Sequence, residues 1–139
     1  MGDDIVLVED LDGDRALIKT ALNAVGLGER IKCFGTGGEA IEYFEKQETQ
    51  QREVPLILIL DLILPQVTGW EILEWLQTHL VFAQMLRMVV SKMDDLDTVQ
   101  RAYMLGAHAV LSKAAVKDHP NTLTRIFHGY WMFAQRIRC

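Results

Sequence analysis

The chain has 139 residues, half of them hydrophobic and about a quarter charged, which suits one soluble domain with its own core. A net charge of −5 argues against nucleic acid held by bulk electrostatics, and the two cysteines, Cys33 and Cys139, make no disulfide framework. No apolar stretch approaches the ~20 residues that span a bilayer, and the acidic opening Met1-Gly2-Asp3-Asp4 does not read as a signal peptide, so a cytoplasmic protein with no membrane partner is expected.

Ile5-Val6-Leu7-Val8 reads as a buried strand that ends in Glu9-Asp10. Asp12 or Asp14 opens a helix whose stripe is Leu17, Ile18, Ala21, Leu22 and Val25, stopped by Gly26 and Gly28. Arg30 to Phe34 alternates polar and apolar, as a half-exposed strand would, with Cys33 on its inner side. Thr36 caps a second helix carrying Ala40, Ile41, Tyr43 and Phe44. Leu56 to Leu60 is a third strand, unbroken in its apolar run, and it delivers Asp61. A helix follows Gly69, with Ile72, Leu73 and Leu76 inward. Met88-Val89-Val90 is a fourth strand leading to Ser91. Asp94, Asp95 and Asp97 sit where negative charge suits the start of a fourth helix, which runs through Val99, Ala102, Tyr103 and Leu105 to Gly106. Ala109-Val110-Leu111 is a short fifth strand before Lys113, and Asn121 or Thr122 caps a last helix running nearly to Cys139.

Strands that alternate with helices five times imply an α/β fold, a doubly wound five-stranded parallel sheet in the order 2-1-3-4-5. The chain reads as a single domain over 1–139 with no appended output domain. In such a sheet the carboxyl ends of the strands share one edge, where ligands bind. Glu9, Asp10 and Asp61 should meet there with Ser91 and Lys113. Two like charges ~4 Å apart repel by about 4 kcal/mol at an effective dielectric near 20. One lysine under-compensates three acids, and Mg²⁺, which takes oxygen ligands and keeps open positions for phosphate oxygens, fits the deficit. A carboxylate can attack phosphorus, and cations with a hydroxyl donor can offset charge on the equatorial oxygens.

These residues resemble the response-regulator receiver domain of two-component signalling. The acidic pair Glu9-Asp10 follows a hydrophobic strand, and Asp61-Leu62-Ile63-Leu64-Pro65, with Gly69 beyond, looks like the phosphoacceptor motif. Ser91 lies 30 residues past Asp61, and Lys113 lies 22 past Ser91. The resemblance implies Asp61 as phosphoacceptor and Glu9, Asp10, Asp61 and the main-chain carbonyl of Ile63 as Mg²⁺ ligands. Ser91 and Lys113 would bind the phosphoryl oxygens. It implies a phosphoacceptor protein rather than an enzyme acting on a separate substrate. Asp10-Leu11-Asp12-Gly13-Asp14-Arg15, the long stretch before the third strand, and Tyr130-Trp131 look more narrowly like the stand-alone regulators paired with bacterial phytochromes. That match implies a sensor histidine kinase as partner, a phytochrome among the candidates. It also implies homodimers through the fourth helix, fifth strand and last helix, with Tyr103, Phe127, Tyr130 and Trp131 at the interface.

Three positions depart from the family pattern. Ala114 follows Lys113 where the family usually has proline. Val110 stands at the usual aromatic switch position, so an aromatic rotamer toggle cannot operate there. Lys92 follows Ser91 where many relatives carry a small residue, and its long side chain could gate the site.

Other patterns exclude themselves. Counted from Asp10, a calcium loop would need glycine and glutamate where Arg15 and Ala21 stand. Gly35-Thr36-Gly37-Gly38 lacks the Gly-Lys-Ser/Thr ending of a phosphate loop. The four histidines show no ligand spacing. Leu123, Ile126, Phe127, Tyr130, Ala134 and Ile137 form an inward stripe on the last helix, and Trp131, Met132 and Phe133 lie partly off it, as a dimer surface would. Two rival classes remain at this level. One is a degenerate receiver acting as a scaffold independent of phosphorylation. The other is an Mg²⁺-dependent phosphohydrolase, for which no insertion large enough for a substrate cap is visible.

Overall fold

Strand residues alternate between two helical layers, and that alternation decides where each side chain is buried. The computed structural model describes residues 4–133; Ala134, Ile137 and Cys139 lie outside them. The strands are β1 (Ile5–Val8), β2 (Ile31–Phe34), β3 (Ile57–Leu60), β4 (Leu86–Ser91) and β5 (Ala109–Ser112). They pair in parallel in the order β2-β1-β3-β4-β5, as the sequence implies. Between them run α1 (Asp12–Asn23), α2 (Gly37–Thr49), α3 (Gly69–Gln77) and α4 (Leu96–Met104), and after β5 come α5 (Lys113–Asp118) and α6 (Pro120–Phe133).

Val6, Val8, Leu58, Leu60 and Val89 face a core filled by Phe44 of α2, Ile72, Leu73 and Leu76 of α3, and Ala102 of α4. Ile5, Leu7, Ile57, Ile59, Met88 and Val90 face the opposite core, filled by Ile18 and Leu22 of α1 and by Leu123 and Phe127 of α6. Both layers bury β1 and β3 completely, which is why those strands are unbroken apolar runs. Cys33, on the edge strand, is half-buried against the α1 and α6 layer.

Side-chain caps set the starts of α2, α3 and α4. Thr36, Thr68 and Asp95 accept hydrogen bonds from the backbone N–H groups of Glu39, Glu71 and Thr98. The last helix opens at Pro120 rather than at Asn121 or Thr122, consistent with the preference of proline for a first helical position. The sequence pattern yields five helices, and α5 is a sixth. Its six residues are too few to display helical periodicity, and Ser112 caps it by accepting from the N–H of Ala115.

Gly69 allows the turn after β3 to close. A Cβ there would lie 2.2 Å from the carbonyl oxygen of Asp61 and 2.6 Å from Cα of Leu62, both backbone atoms that cannot swing away. The approach is held by the N–H of Gly69 donating to the carbonyl of Leu62 at 3.0 Å. Gly69→Ala should therefore destabilise the protein by about 3 kcal/mol or more, measured by urea denaturation, because overpacking here displaces main chain. A loss below about 1 kcal/mol would mean that the turn has slack. Among the described residues no helix is long and apolar enough to cross a membrane.

Candidate functional site

The strand register brings the acids together. Val8 pairs with Leu60 and Leu60 with Val89, so β1, β3 and β4 reach the same edge in step. The N–H of Glu9 still donates to the carbonyl of Phe34, and that of Asp61 to the carbonyl of Val8, each at 3.1 Å. These bonds fix both backbones where their side chains leave the sheet. Glu9 and Asp61 are buried, and Asp10 is half-buried beside them. One carboxylate oxygen from each of the three lies within 4.8 Å of the others.

Lys113 reaches this cluster from the first turn of α5. Its Nζ donates to Asp14 Oδ2 at 2.8 Å, Asp61 Oδ2 at 2.9 Å and Glu9 Oε1 at 3.1 Å. Asp14 is the member that sequence reasoning missed as a site residue, having read it as a helix opener and as part of the Asp10–Arg15 resemblance. It is buried, and its second oxygen pairs with Lys117 Nζ at 3.2 Å. No spacing singles it out, because Asp10 precedes α1 and the six residues of α5 are too few to reveal the helix that carries Lys117.

The electrostatics follow from the arrangement. Burial, and then the negative charge of Asp61, push the Glu9 carboxyl up to about 7 against the pull of Lys113. Burial opposes the charge on Lys113, but hydrogen bonds to Asp14, Asp61 and Glu9 outweigh it and hold the ammonium above its ordinary pKa. Burial likewise opposes ionisation of Asp14, yet Lys113 and Lys117 hold it below the usual carboxylate range. A carboxyl held near 7 beside a fully charged lysine marks a site short of positive charge. Clustered oxygen donors with that deficit fit a hard divalent cation, which Glu9, Asp10 and Asp61 would hold.

The other expected site residues are placed less uniformly. The N–H of Ile63 donates to Asp61 Oδ1 at 3.1 Å, so the backbone at Ile63 lies against the acid while its side chain is exposed. Ser91 is fully buried at the end of β4, and its hydroxyl accepts from the N–H of Met93 at 3.1 Å rather than engaging Asp61. Lys92 is exposed, and Val110 is half-buried against the α2, α3 and α4 layer.

A sequence profile for the response regulator receiver domain matches residues 5–125. The chain belongs to this family. A curated relative, the probable methanogenesis regulatory protein FilR2 of Methanothrix harundinacea (strain 6Ac), is 30% identical over 129 residues, covering 92% of this chain and 83% of that protein. Similar solved structures include the Mn²⁺-bound response regulator Rcp1, with a TM-score of 0.79 at 23% identity over 99% of this chain and all of that one. The phosphorylated cyanobacterial phytochrome response regulator RcpA also has a TM-score of 0.79, at 24% identity over the whole of both chains. A response regulator receiver domain from Rhodospirillum rubrum has a TM-score of 0.80 at 25% identity over 94% of each chain. Receiver domains bind Mg²⁺ or Mn²⁺ at an acidic pocket, and this receiver domain carries its acidic cluster at Glu9, Asp10 and Asp61.

The surface expected to pair two receivers needs one correction. Phe127 is fully buried in the core beneath α6 and cannot meet a partner. Ile126, expected inward, is 37% exposed instead. Tyr103 is 48% exposed on α4, whereas Tyr130 and Trp131 are half-buried against the α1 and α6 layer, with Arg30 over the Trp131 ring at 5.2 Å.

Proposed function

We propose that this receiver domain accepts a phosphoryl group on Asp61 from the phosphohistidine of a sensor kinase. The observation that carries the reading is the convergence of Lys113 Nζ and the Glu9–Asp10 pair on one buried aspartate at the carboxyl edge of the sheet. In the transfer, a carboxylate oxygen of Asp61 forms the new O–P bond as the N–P bond of the donor imidazole breaks, and the departing imidazole takes up a proton from solvent. Lys113 offsets charge on the transferring oxygens, as a preorganised cation in a water-poor site should. Mg²⁺ held by Glu9, Asp10, Asp61 and the carbonyl of Ile63 would add Lewis-acid charge neutralisation. Ser91 is the hydroxyl donor for a phosphoryl oxygen, and since its oxygen only accepts from the N–H of Met93, its O–H can donate without breaking that bond. Lys92 stands exposed beside that position as a gate, and Val110 occupies the switch position without a ring.

The signal then passes through the surface around α4, β5 and α6. Tyr103, Met104 and Leu96 are exposed there, which supports a homodimer formed through that face, with Tyr130 and Trp131 contributing from α6. The similarity to RcpA, a cyanobacterial phytochrome response regulator, supports a bacterial phytochrome among the candidate kinases. We read residues 5–125 as the receiver of a cytoplasmic regulator.

Intact-mass analysis after incubation with a phosphorylated kinase and Mg²⁺ tests the assignment. Wild-type protein should gain one phosphoryl mass, labile to mild base, and Asp61→Asn should gain none. An Asp61→Asn protein that still acquires the mass would overturn Asp61 as acceptor.

A further inference from the structure

We propose that Asp14 is a positioning residue for Lys113, the one partner that keeps the lysine in place while its other two partners change roles. The inference rests on the phosphoacceptor reading of Asp61. A lysine ammonium has three N–H donors. In this structure all three are taken, by Glu9, Asp14 and Asp61. Phosphoryl transfer disturbs two of these contacts. Asp61 gives an oxygen to the new O–P bond as the donor's N–P bond breaks, and its negative charge passes to the phosphoryl group. Glu9 belongs to the oxygen cluster suited to a divalent cation. Asp14 lies outside that cluster and has neither task.

Asp14 is also the best held of the three. Oδ2 accepts from Lys113 at 2.8 Å, the shortest of the three lysine contacts, and Oδ1 pairs with Lys117 at 3.2 Å. Lys113 and Lys117 are one turn apart on α5, so Asp14 ties the first turn of α1 to two positions on one side of that helix. Lys113 is the first residue of α5, immediately after β5, and its side chain lies 96% buried back across the sheet edge toward β1 and β3. A flexible four-carbon stem needs an anchor to stay there. With Asp14 holding one N–H, two N–H groups remain directed at Asp61 and its surroundings, where the phosphoryl oxygens arrive.

The test uses the full chain with acetyl phosphate as donor and Mg²⁺ present. Asp14→Asn should take up the phosphoryl group on Asp61 about tenfold more slowly than wild type, the cost of a misplaced charged group. A merely structural role would not alter the lysine itself, so the second readout is the ¹⁵N signal of the Lys113 ammonium in protein loaded with Mg²⁺ and beryllofluoride. It should be resolved in wild type and lost to exchange in Asp14→Asn. An uptake rate within about twofold of wild type, or an unchanged Lys113 signal, overturns the proposal. Should Asp14→Asn fail to fold, a crystal structure of the wild-type beryllofluoride complex decides. Lys113 still bonded to Asp14 supports the assignment, and separation beyond about 4 Å overturns it. Phosphoryl uptake by Asp61→Asn would sink the acceptor reading and this inference together. A wild-type rate in Asp14→Asn, with Asp61→Asn silent, sinks this inference alone.

Discussion

Lys113→Met should lower stability by about 3–5 kcal/mol near pH 7.5 in the absence of divalent metal, the cost expected when one partner of a buried charge cluster is removed. The methionine has nearly the volume of the lysine stem, so the loss reports charge rather than a cavity. What remains is Glu9, Asp14 and Asp61, all buried and all previously bonded to the same Nζ. Lys117 still pairs with Asp14, but from an exposed position, where an ion pair contributes little. The pH dependence has a defined sign. Without the pull of Lys113 the Glu9 carboxyl, which burial already raises, lies still further above its unfolded value, so the folded protein binds more protons than the unfolded chain in that interval. Stability is then greatest below the unfolded value and is lost as pH rises through the folded one. The variant should therefore recover much of its deficit toward pH 5, and Mg²⁺ should restore part of it near pH 7.5. Urea denaturation at both pH values, with chelator and with Mg²⁺, measures each term. A deficit below about 1 kcal/mol near pH 7.5 in chelator would show that water, not Lys113, solvates these acids.

The parts of this molecule that were legible in the sequence are those where one physical constraint dominates. Burial on both faces leaves no room for polar residues in β1 and β3, so their runs, and the acids that end them, stand out. Once parallel order is granted, chain geometry carries Glu9 and Asp61 to the same edge without further information. The last helix was harder because its constraint is angular. Leu123 and Phe127 are its buried residues, Tyr130 and Trp131 are partly buried against the same core, and Ile126 lies at the exposed margin of the stripe. Phe127, assigned to a partner surface, is core for the same reason. The segment Lys113–Asp118 has good helix formers but only six residues, and no periodicity can be read from so few. That helix brings Lys117 onto Asp14. Missing the helix meant missing Asp14, whose role depends on a contact 99 residues distant in sequence. Ser91 ends β4, and spacing cannot reveal that its hydroxyl oxygen also accepts locally from the N–H of Met93.

Magnesium affinity should carry the imprint of Glu9. Its carboxyl sits at about 7, raised first by burial and then by the charge of Asp61. A hard cation needs that carboxylate ionised, so each ion bound below the pKa must displace one proton. The apparent dissociation constant should then be nearly constant above about pH 8 and weaken roughly tenfold for each unit below 7, reaching about 100-fold near pH 5. Calorimetric titration of the wild-type protein in buffers of different ionisation enthalpy would measure both the affinity and the proton released. The pH range distinguishes this from ordinary acid loosening of a carboxylate site: a pair of unperturbed acids would hold its affinity down to about pH 5, well below the region where Glu9 titrates. Glu9→Gln supplies the control. It removes one ligand charge, so binding should be weaker than wild type near pH 8, but the steep decline between about pH 7 and 5 should vanish with the titrating group. An affinity in wild type that stays flat through that interval would mean that Glu9 is ionised before the metal arrives. The charge deficit that singles out this edge of the sheet would then be smaller than the geometry of the three carboxylates indicates.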